Sequence, residues 1–237
     1  MKSRITTTLS LMPLIVALAA CGPSREEREA AARAAAQAAV EREAAEQLAG
    51  YRQALADDNV ELAAAYGELI QARYGHTQAA RELGEDFAAI REQAEQHKRA
   101  RYLQSLWTYQ TAPMGGGQQR TASLYSEELH GRRLRLVLRD HSEWGRSTFL
   151  LPPVDLFVCT GTCRVQIRFD EGPTRPFEAT KADSKENPGL FIEDMRGFVT
   201  GLMAADRITI EVPTTDGSQV YGFEVGGYDP ERFAAGQ

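Results

Sequence analysis

The spacing of apolar side chains changes along this chain from a helical period to an alternating one. Residues 26–56 are rich in alanine, and oppositely charged side chains stand four residues apart, which favours a long helix. The first half of this segment has almost no apolar surface to bury, so an exposed stalk helix and a partly disordered tether both fit the pattern. Apolar residues then recur at three- and four-residue intervals over 62–70 and 80–94, which predicts two more helices.

Residues that commonly cap helices mark the expected boundaries. Asp58 and Glu61 have the spacing of a capping box, so a helix is expected to begin near residue 58. Gly75 follows a basic turn and ends this helix, and Thr77 caps the next one. An antiparallel helical hairpin within residues 57–106 is the economical arrangement.

The C-terminal part is organised in short segments with a period of two. Residues 133–139 and 164–170 alternate between polar and apolar side chains, as half-buried strands do. Further strands are expected over 147–151, 156–159, 176–181, 207–212 and 219–225, and one helix over 193–205. We therefore expect an α+β protein in which a helical stalk and hairpin precede an antiparallel β-sandwich or open barrel with one helix.

Composition changes at the same place along the chain. Alanine, glutamate and arginine dominate up to about residue 106, whereas glycine, proline, valine and threonine are frequent afterwards. Consecutive glycines are costly to order, so the glycines at 115–117 predict a Gly-rich linker over 107–118. The predicted segments are a signal peptide (1–20), a lipidated N-terminus with the stalk (21–56), the hairpin (57–106), the linker, and a β-rich domain (119–237).

The N-terminus has the parts of a bacterial secretion signal. Lys2 and Arg4 are basic, residues 5–18 are apolar but short for a membrane span, and Leu18-Ala19-Ala20-Cys21 follows. This sequence resembles the lipobox of bacterial lipoproteins, which implies cleavage before Cys21 and acylation of that cysteine. Gly22, in place of an aspartate that retains such proteins in the inner membrane, indicates the outer membrane. An ordinary cleaved signal peptide is the alternative.

The predicted hairpin resembles a known repeat unit. The sequences at residues 64–66, 74–77 and 79–80 are similar to a tetratricopeptide-type hairpin, which occurs in envelope lipoproteins that scaffold other proteins. One such repeat cannot bury its own faces, and the sequence contains no second copy. A peptide-binding solenoid is therefore not expected, and the hairpin is expected to pack against the neighbouring domain.

Two of the three cysteines lie close together in the C-terminal part. Cys159 and Cys163 bracket Thr-Gly-Thr between expected strands, so a disulfide that fixes a tight hairpin is the preferred interpretation. A redox pair is the alternative, but the spacing is not Cys-x-x-Cys. Zinc is less favoured still, because no matched His or Cys pair accompanies the two cysteines.

The sequence contains no recognisable catalytic motif, so we assign no catalytic residue, metal site or cofactor. His141 lies between Asp140 and Glu143, so these three residues are a candidate acid-base cluster. The alternative is a solvated turn, which commonly has the same composition. Two of the other acidic side chains could form a carboxylate pair that catalyses hydrolysis, but the sequence alone does not identify which two. The acidic candidates are Asp155, Asp170, Glu171 and Asp183.

Arginines recur on the polar faces of two predicted strands. We expect an arginine ladder that binds phosphate or carboxylate groups, or alternatively cross-strand ion pairs with Glu178, Glu211 or Glu224. The candidate residues are Arg133, Arg135, Arg139, Arg164 and Arg168.

We therefore expect an outer-membrane-anchored periplasmic lipoprotein that acts as a non-enzymatic binding or scaffold module. Its expected partners are the membrane, through the N-terminal lipid, and an envelope protein or anionic envelope polymer. Acidic and basic residues are interspersed, with a net charge of -6, so nucleic acid is not expected. A secretion-system accessory or immunity lipoprotein is the alternative, and an envelope hydrolase is a third. The C-terminal part also resembles a module of uncharacterised periplasmic proteins, which implies no activity.

Overall fold

The computed structural model describes residues 24–84, 86–182 and 188–235. The chain forms two compact units, Met1–Phe87 and Ala88–Gln237. The described helices are α1 Arg25–Ala56, α2 Val60–Tyr74, α3 Gln78–Leu83, α4 Phe87–Leu106, α5 Met195–Met203 and α6 Pro230–Ala235. The described strands are β1 Thr108–Met114, β2 Gly117–Tyr125, β3 Arg135–His141, β4 Gly145–Leu151, β5 Thr162–Phe169, β6 Arg175–Lys181, β7 Leu190–Ile192, β8 Arg207–Thr214 and β9 Gly217–Glu224. The predicted α+β class is confirmed.

In the first unit, α1 is a continuous helix of 32 residues, about 48 Å long at 1.5 Å per residue. Ser24 caps it, since its Oγ accepts a hydrogen bond from the Glu27 N–H and the Glu27 carboxylate accepts one from the Ser24 N–H. Its first turns are exposed on all sides, and the first buried residue is Ala44. The described part of the predicted stalk is therefore helical.

The helical hairpin of this unit involves α1, which differs from the prediction. The ring of Tyr66 on α2 lies against Gly50 on α1, where a Cβ atom would come within 2.6 Å of it. Tyr74 Oη donates a hydrogen bond of 3.3 Å to Glu43. α2 therefore runs back along the C-terminal half of α1, because the apolar side chains of that half need a partner and α2 follows immediately.

Two predicted helix boundaries in this unit were wrong. The N-cap of α2 is Asn59, whose Oδ1 accepts a hydrogen bond of 3.1 Å from the Leu62 N–H, whereas Asp58 adopts a φ of 56° in the preceding turn. The helix expected over 77–94 is divided into α3 and α4. Gly84, with a φ of 69°, turns the chain out of the helical conformation there.

In the second unit, all nine described strands belong to one antiparallel sheet that curls into a half-barrel. The strand order is β1-β2-β3-β4-β7-β6-β5-β8-β9. The linker predicted over 107–118 is wrong, because β1 and the start of β2 occupy it as a hairpin. Gly115 and Gly116 have positive φ values of 56° and 91°, so these glycines form a tight turn rather than a hinge.

The inner side of the curled sheet holds one hydrophobic core. Leu136 and Leu138 of β3 face it, as do Val165 and Ile167 of β5, and Phe198 of α5 packs onto it. The alternating patterns predicted these inward positions correctly. Helix α6 was not predicted, and the strand predicted over 156–159 is wrong, because the structure has a single bridge there, between Phe157 and Thr214.

The segment after β2 covers part of the outer edge of β9. The Glu127 N–H donates a hydrogen bond of 2.8 Å to the Gly222 carbonyl. The Glu127 carboxylate also pairs with Arg207, with Arg207 Nη2 donating to it at 2.8 Å. The hydrogen bonds from Arg207 lower the pKa of Glu127. This pair joins two segments that are 80 residues apart in sequence.

No described helix is long and apolar enough to cross a membrane.

Candidate binding face

The outer side of the half-barrel carries a mixed surface of arginine and aromatic side chains. Arg135 and Arg139 alternate with the inward-facing leucines of β3, so both lie on the outer side. Val137 lies between them and is opposite Phe149 on β4, which is opposite Phe191 on β7. We call this surface the outer arginine–aromatic face and define it as Tyr125, Arg135, Arg139, Trp144, Phe149 and Phe191.

Arg139 lies at the centre of this face. Its guanidinium carbon is 5.3 Å from the ring centre of Phe149, 5.8 Å from that of Phe191 and 5.5 Å from that of Trp144. Arg139 Nε donates a hydrogen bond of 3.0 Å to Ser147 Oγ. Burial lowers the pKa of Arg139, and no described carboxylate pairs with it. The three rings therefore surround a partly desolvated cation that has no counter-ion in the part of the chain that the structure describes.

Arg135 is the second cation of this face. Its Nε is buried and has no hydrogen-bond partner, and no described carboxylate forms an ion pair with it. On β2, Tyr125 lies directly opposite Arg135, and its side chain is 59% exposed. Trp144, near the other end of β3, is 52% exposed. The face thus offers two exposed aromatic rings and two guanidinium groups that have no carboxylate partner among the described residues.

The predicted arginine ladder was wrong. β3 and β5 are separated by β4, β7 and β6, so Arg164 and Arg168 lie far along the sheet from Arg135 and Arg139. The order of strands in the sheet depends on pairing between segments that are distant in sequence, so the local sequence pattern of each strand does not predict it. Arg164 lies opposite Glu178 in the register of β5 with β6, which is the arrangement that a cross-strand ion pair would require.

Arg133 also falls outside the outer arginine–aromatic face. It lies just before β3, where its Nε is 3.9 Å from a carboxylate oxygen of Glu128. The predicted arginines that the structure brings together are therefore Arg135 and Arg139.

His141 lies at the end of β3 and is buried, which corrects the expectation of a solvated turn. Its Nδ1 accepts hydrogen bonds from the N–H groups of Glu143, at 3.1 Å, and Trp144, at 3.2 Å. Its Nε2 therefore carries the proton and donates a hydrogen bond of 2.8 Å to the Met114 carbonyl. Both ring nitrogens thus fasten the β1–β2 turn to the β3–β4 turn.

The predicted acidic candidates have other partners or lie elsewhere. Asp155 pairs with Lys181 at 2.7 Å. Asp170 Oδ1 accepts hydrogen bonds from the backbone N–H groups of Asp206 and Arg207, at 3.0 and 2.9 Å. Glu171 is exposed, and Asp183 lies outside the described residues. Among the described residues, no three His, Cys, Asp or Glu side chains form a group suited to a metal ion.

Cys159 and Cys163 are joined by a disulfide, the pairing that the sequence favours, with their Cα atoms 5.6 Å apart. Cys163 belongs to β5, whereas Cys159 lies in the preceding loop, so the bond attaches this loop to the sheet rather than closing a hairpin. Both side chains pack partly buried against the core. Cys21, the predicted site of lipidation, lies outside the described residues.

The aromatic members of the outer arginine–aromatic face were not predicted from the sequence. Phe149 and Phe191 are 42 positions apart and meet only through the pairing of β4 with β7. The sequence signals that could have indicated this cluster are Phe149 and Phe191, one in each of two apolar segments, and Trp144 shortly before the first of these segments.

No family model matches this chain, and no curated protein matches it. Among solved structures, it is similar to invasion associated protein B from Bartonella henselae. The two share 15% sequence identity with a TM-score of 0.40, over 55% of this chain and 91% of the other. This likeness is too distant to support a functional argument, so the function is argued from the site itself.

Proposed function

We propose that this protein is an outer-membrane lipoprotein facing the periplasm that binds an acidic protein of the cell envelope without catalysing a reaction. The observation that carries the binding role is Arg139, a partly buried guanidinium among three aromatic rings with no described carboxylate partner. The lipobox-like sequence at Cys21 supports the location.

The chemistry of the outer arginine–aromatic face favours a carboxylate-bearing partner. A guanidinium group can bind a carboxylate through two parallel hydrogen bonds, and this contact is stronger where aromatic rings exclude water. Arg135 and Arg139 stand four residues apart on one strand face, so they can receive two acidic side chains of one segment.

The exposed rings favour a protein over an anionic polymer. Tyrosine, tryptophan and arginine are the residues most often found at energetic centres of protein interfaces. Tyr125 and Trp144 border the two arginines and are both more than half exposed. A segment with acidic and apolar side chains would cover this combination, whereas a polymer of charged groups would leave the rings in water.

Site-specific crosslinking in intact cells tests this proposal. A photoreactive phenylalanine analogue at position 125 should trap one specific envelope protein, identified by mass spectrometry. The same analogue at Val220, a residue of β9 that is also more than half exposed, is the matched control and should trap little. Capture of a polymer at position 125, or equal capture at both positions, would contradict the proposal. A trapped envelope hydrolase whose activity falls on binding would favour the immunity-lipoprotein alternative.

A further inference from the structure

A cavity of about 230 Å³ lies against the half-barrel, and its lining shares Arg139 with the outer arginine–aromatic face. Residues of β3, β4, α5 and α6 line it. Most of these side chains are apolar: Leu138, Met195, Val199, Met203 and Phe233, together with the ring of Tyr228. A dry apolar cavity of about 150 Å³ already admits benzene, so this volume accommodates a somewhat larger apolar body.

One wall of this cavity carries an unsatisfied polar group. Thr148 has no exposed surface, and its Oγ1 has no hydrogen-bond partner. Burying a hydroxyl without a partner is unfavourable, so native structures normally satisfy it. Thr148 lies on the inner face of β4, opposite Leu138 on β3, and both line the cavity. A ligand atom that hydrogen-bonds to this hydroxyl would remove the cost.

Two arginines, Arg139 and Arg146, are the charged residues that line the cavity. Arg146 lies two residues before Thr148 on the same face of β4, and its side chain is 64% exposed. Asp140 accepts a hydrogen bond from Arg146 Nε at 3.2 Å and also pairs with Arg120 at 3.6 Å. Arg120 and Arg146 therefore share one carboxylate, which neutralises the Arg146 guanidinium only in part.

We propose that this cavity binds a small amphipathic carboxylate, such as a medium-chain fatty acid. The apolar chain would lie among the methionines and Phe233, where the unbranched methionine side chains adapt to its shape. The carboxylate would accept hydrogen bonds from Thr148 Oγ1 and from the free part of the Arg146 guanidinium. The cavity shares Arg139 with the outer arginine–aromatic face, but this proposal does not rest on the proposed partner of that face.

Octanoate is the probe, with octanol as its uncharged counterpart. In the full chain with isotopically labelled methionine methyl groups, octanoate should shift the NMR signals of Met195 and Met203. Thr148→Val keeps the side-chain shape, removes the hydroxyl, and should weaken octanoate binding about tenfold. Val199→Phe fills the cavity and should abolish binding. Thr121→Val, on β2, is the matched control and should bind as the native protein does.

The outcomes that overturn the proposal are distinct. Absence of methionine shifts with octanoate, or unchanged binding in Val199→Phe, would refute the cavity as the site. Octanol binding as tightly as octanoate would refute the role of Arg146 and the requirement for an anion. Circular dichroism of each variant verifies that a loss of binding is not a loss of fold, and an Arg146→Gln variant tests the charge if Thr148→Val does not fold.

Discussion

The ring of His141 stacks on the ring of Trp144, with their centres 3.9 Å apart and their planes 8° from parallel. The same histidine holds the β1–β2 turn through Met114 and the β3–β4 turn through two backbone N–H groups. His141 therefore supports the position of Trp144 on the outer arginine–aromatic face, which is a structural role.

Replacing His141 with alanine should lower the free energy of unfolding by about 2 to 3 kcal/mol, because it leaves buried backbone groups unpaired and opens a cavity. Chemical denaturation of the native and variant proteins measures the difference. His97→Ala, at an exposed position of α4, is the control and should change stability little. Equal stability of the two variants would contradict the structural role of His141.

The disulfide should stabilise the β unit modestly. Cys159→Ser should lower the free energy of unfolding by about 2 kcal/mol, since a disulfide across so short a loop restricts the unfolded chain only slightly. Proteolytic mapping without reductant should also recover a peptide pair joined through Cys159 and Cys163. Free thiols at both positions in protein freshly isolated from the envelope would refute the bond.

Alkaline pH should destabilise the fold through Tyr228. Burial raises the pKa of Tyr228 from its ordinary value of 10.0 to about 12. Because the folded state holds this proton more tightly, its stabilisation is complete below pH 10 and is lost as pH rises to about 12.

The Tyr228→Phe variant isolates this effect. Its stability should fall less steeply between pH 10 and 12 than that of the native protein, as measured by chemical denaturation at each pH. An identical slope in the two proteins would show that Tyr228 does not contribute to the alkaline loss.

The lipid anchor is tested at Cys21. Cys21→Ala should abolish acylation and leave the protein unprocessed or free of the membrane, because the thioether bond requires the cysteine sulfur. Metabolic labelling with radioactive palmitate measures this directly. Incorporation of label into the alanine variant would refute the lipoprotein assignment, whereas the disulfide variant Cys159→Ser should be labelled as the native protein is.

The alternation of polar and apolar residues predicted those strands that have one buried and one exposed side. The alternation over 133–139 identifies β3, because one side of that strand faces the core and the other does not. The glycines at 115–117 were misread because a tight turn and a flexible hinge have the same composition. The contact of Arg139 with Phe149 and Phe191 was not predictable, since it depends on which strands pair across the sheet.

The most direct test of the central claim is charge reversal on the outer arginine–aromatic face. Arg135→Glu should reduce capture of the crosslinked partner at least about tenfold, because an acidic segment would meet a like charge. Arg135→Gln should have a smaller effect in the same direction. Arg168→Glu makes the same charge change on β5, at an exposed position away from this face, and should leave capture intact. Equal capture by Arg135→Glu and Arg168→Glu, with both proteins folded, would contradict the account.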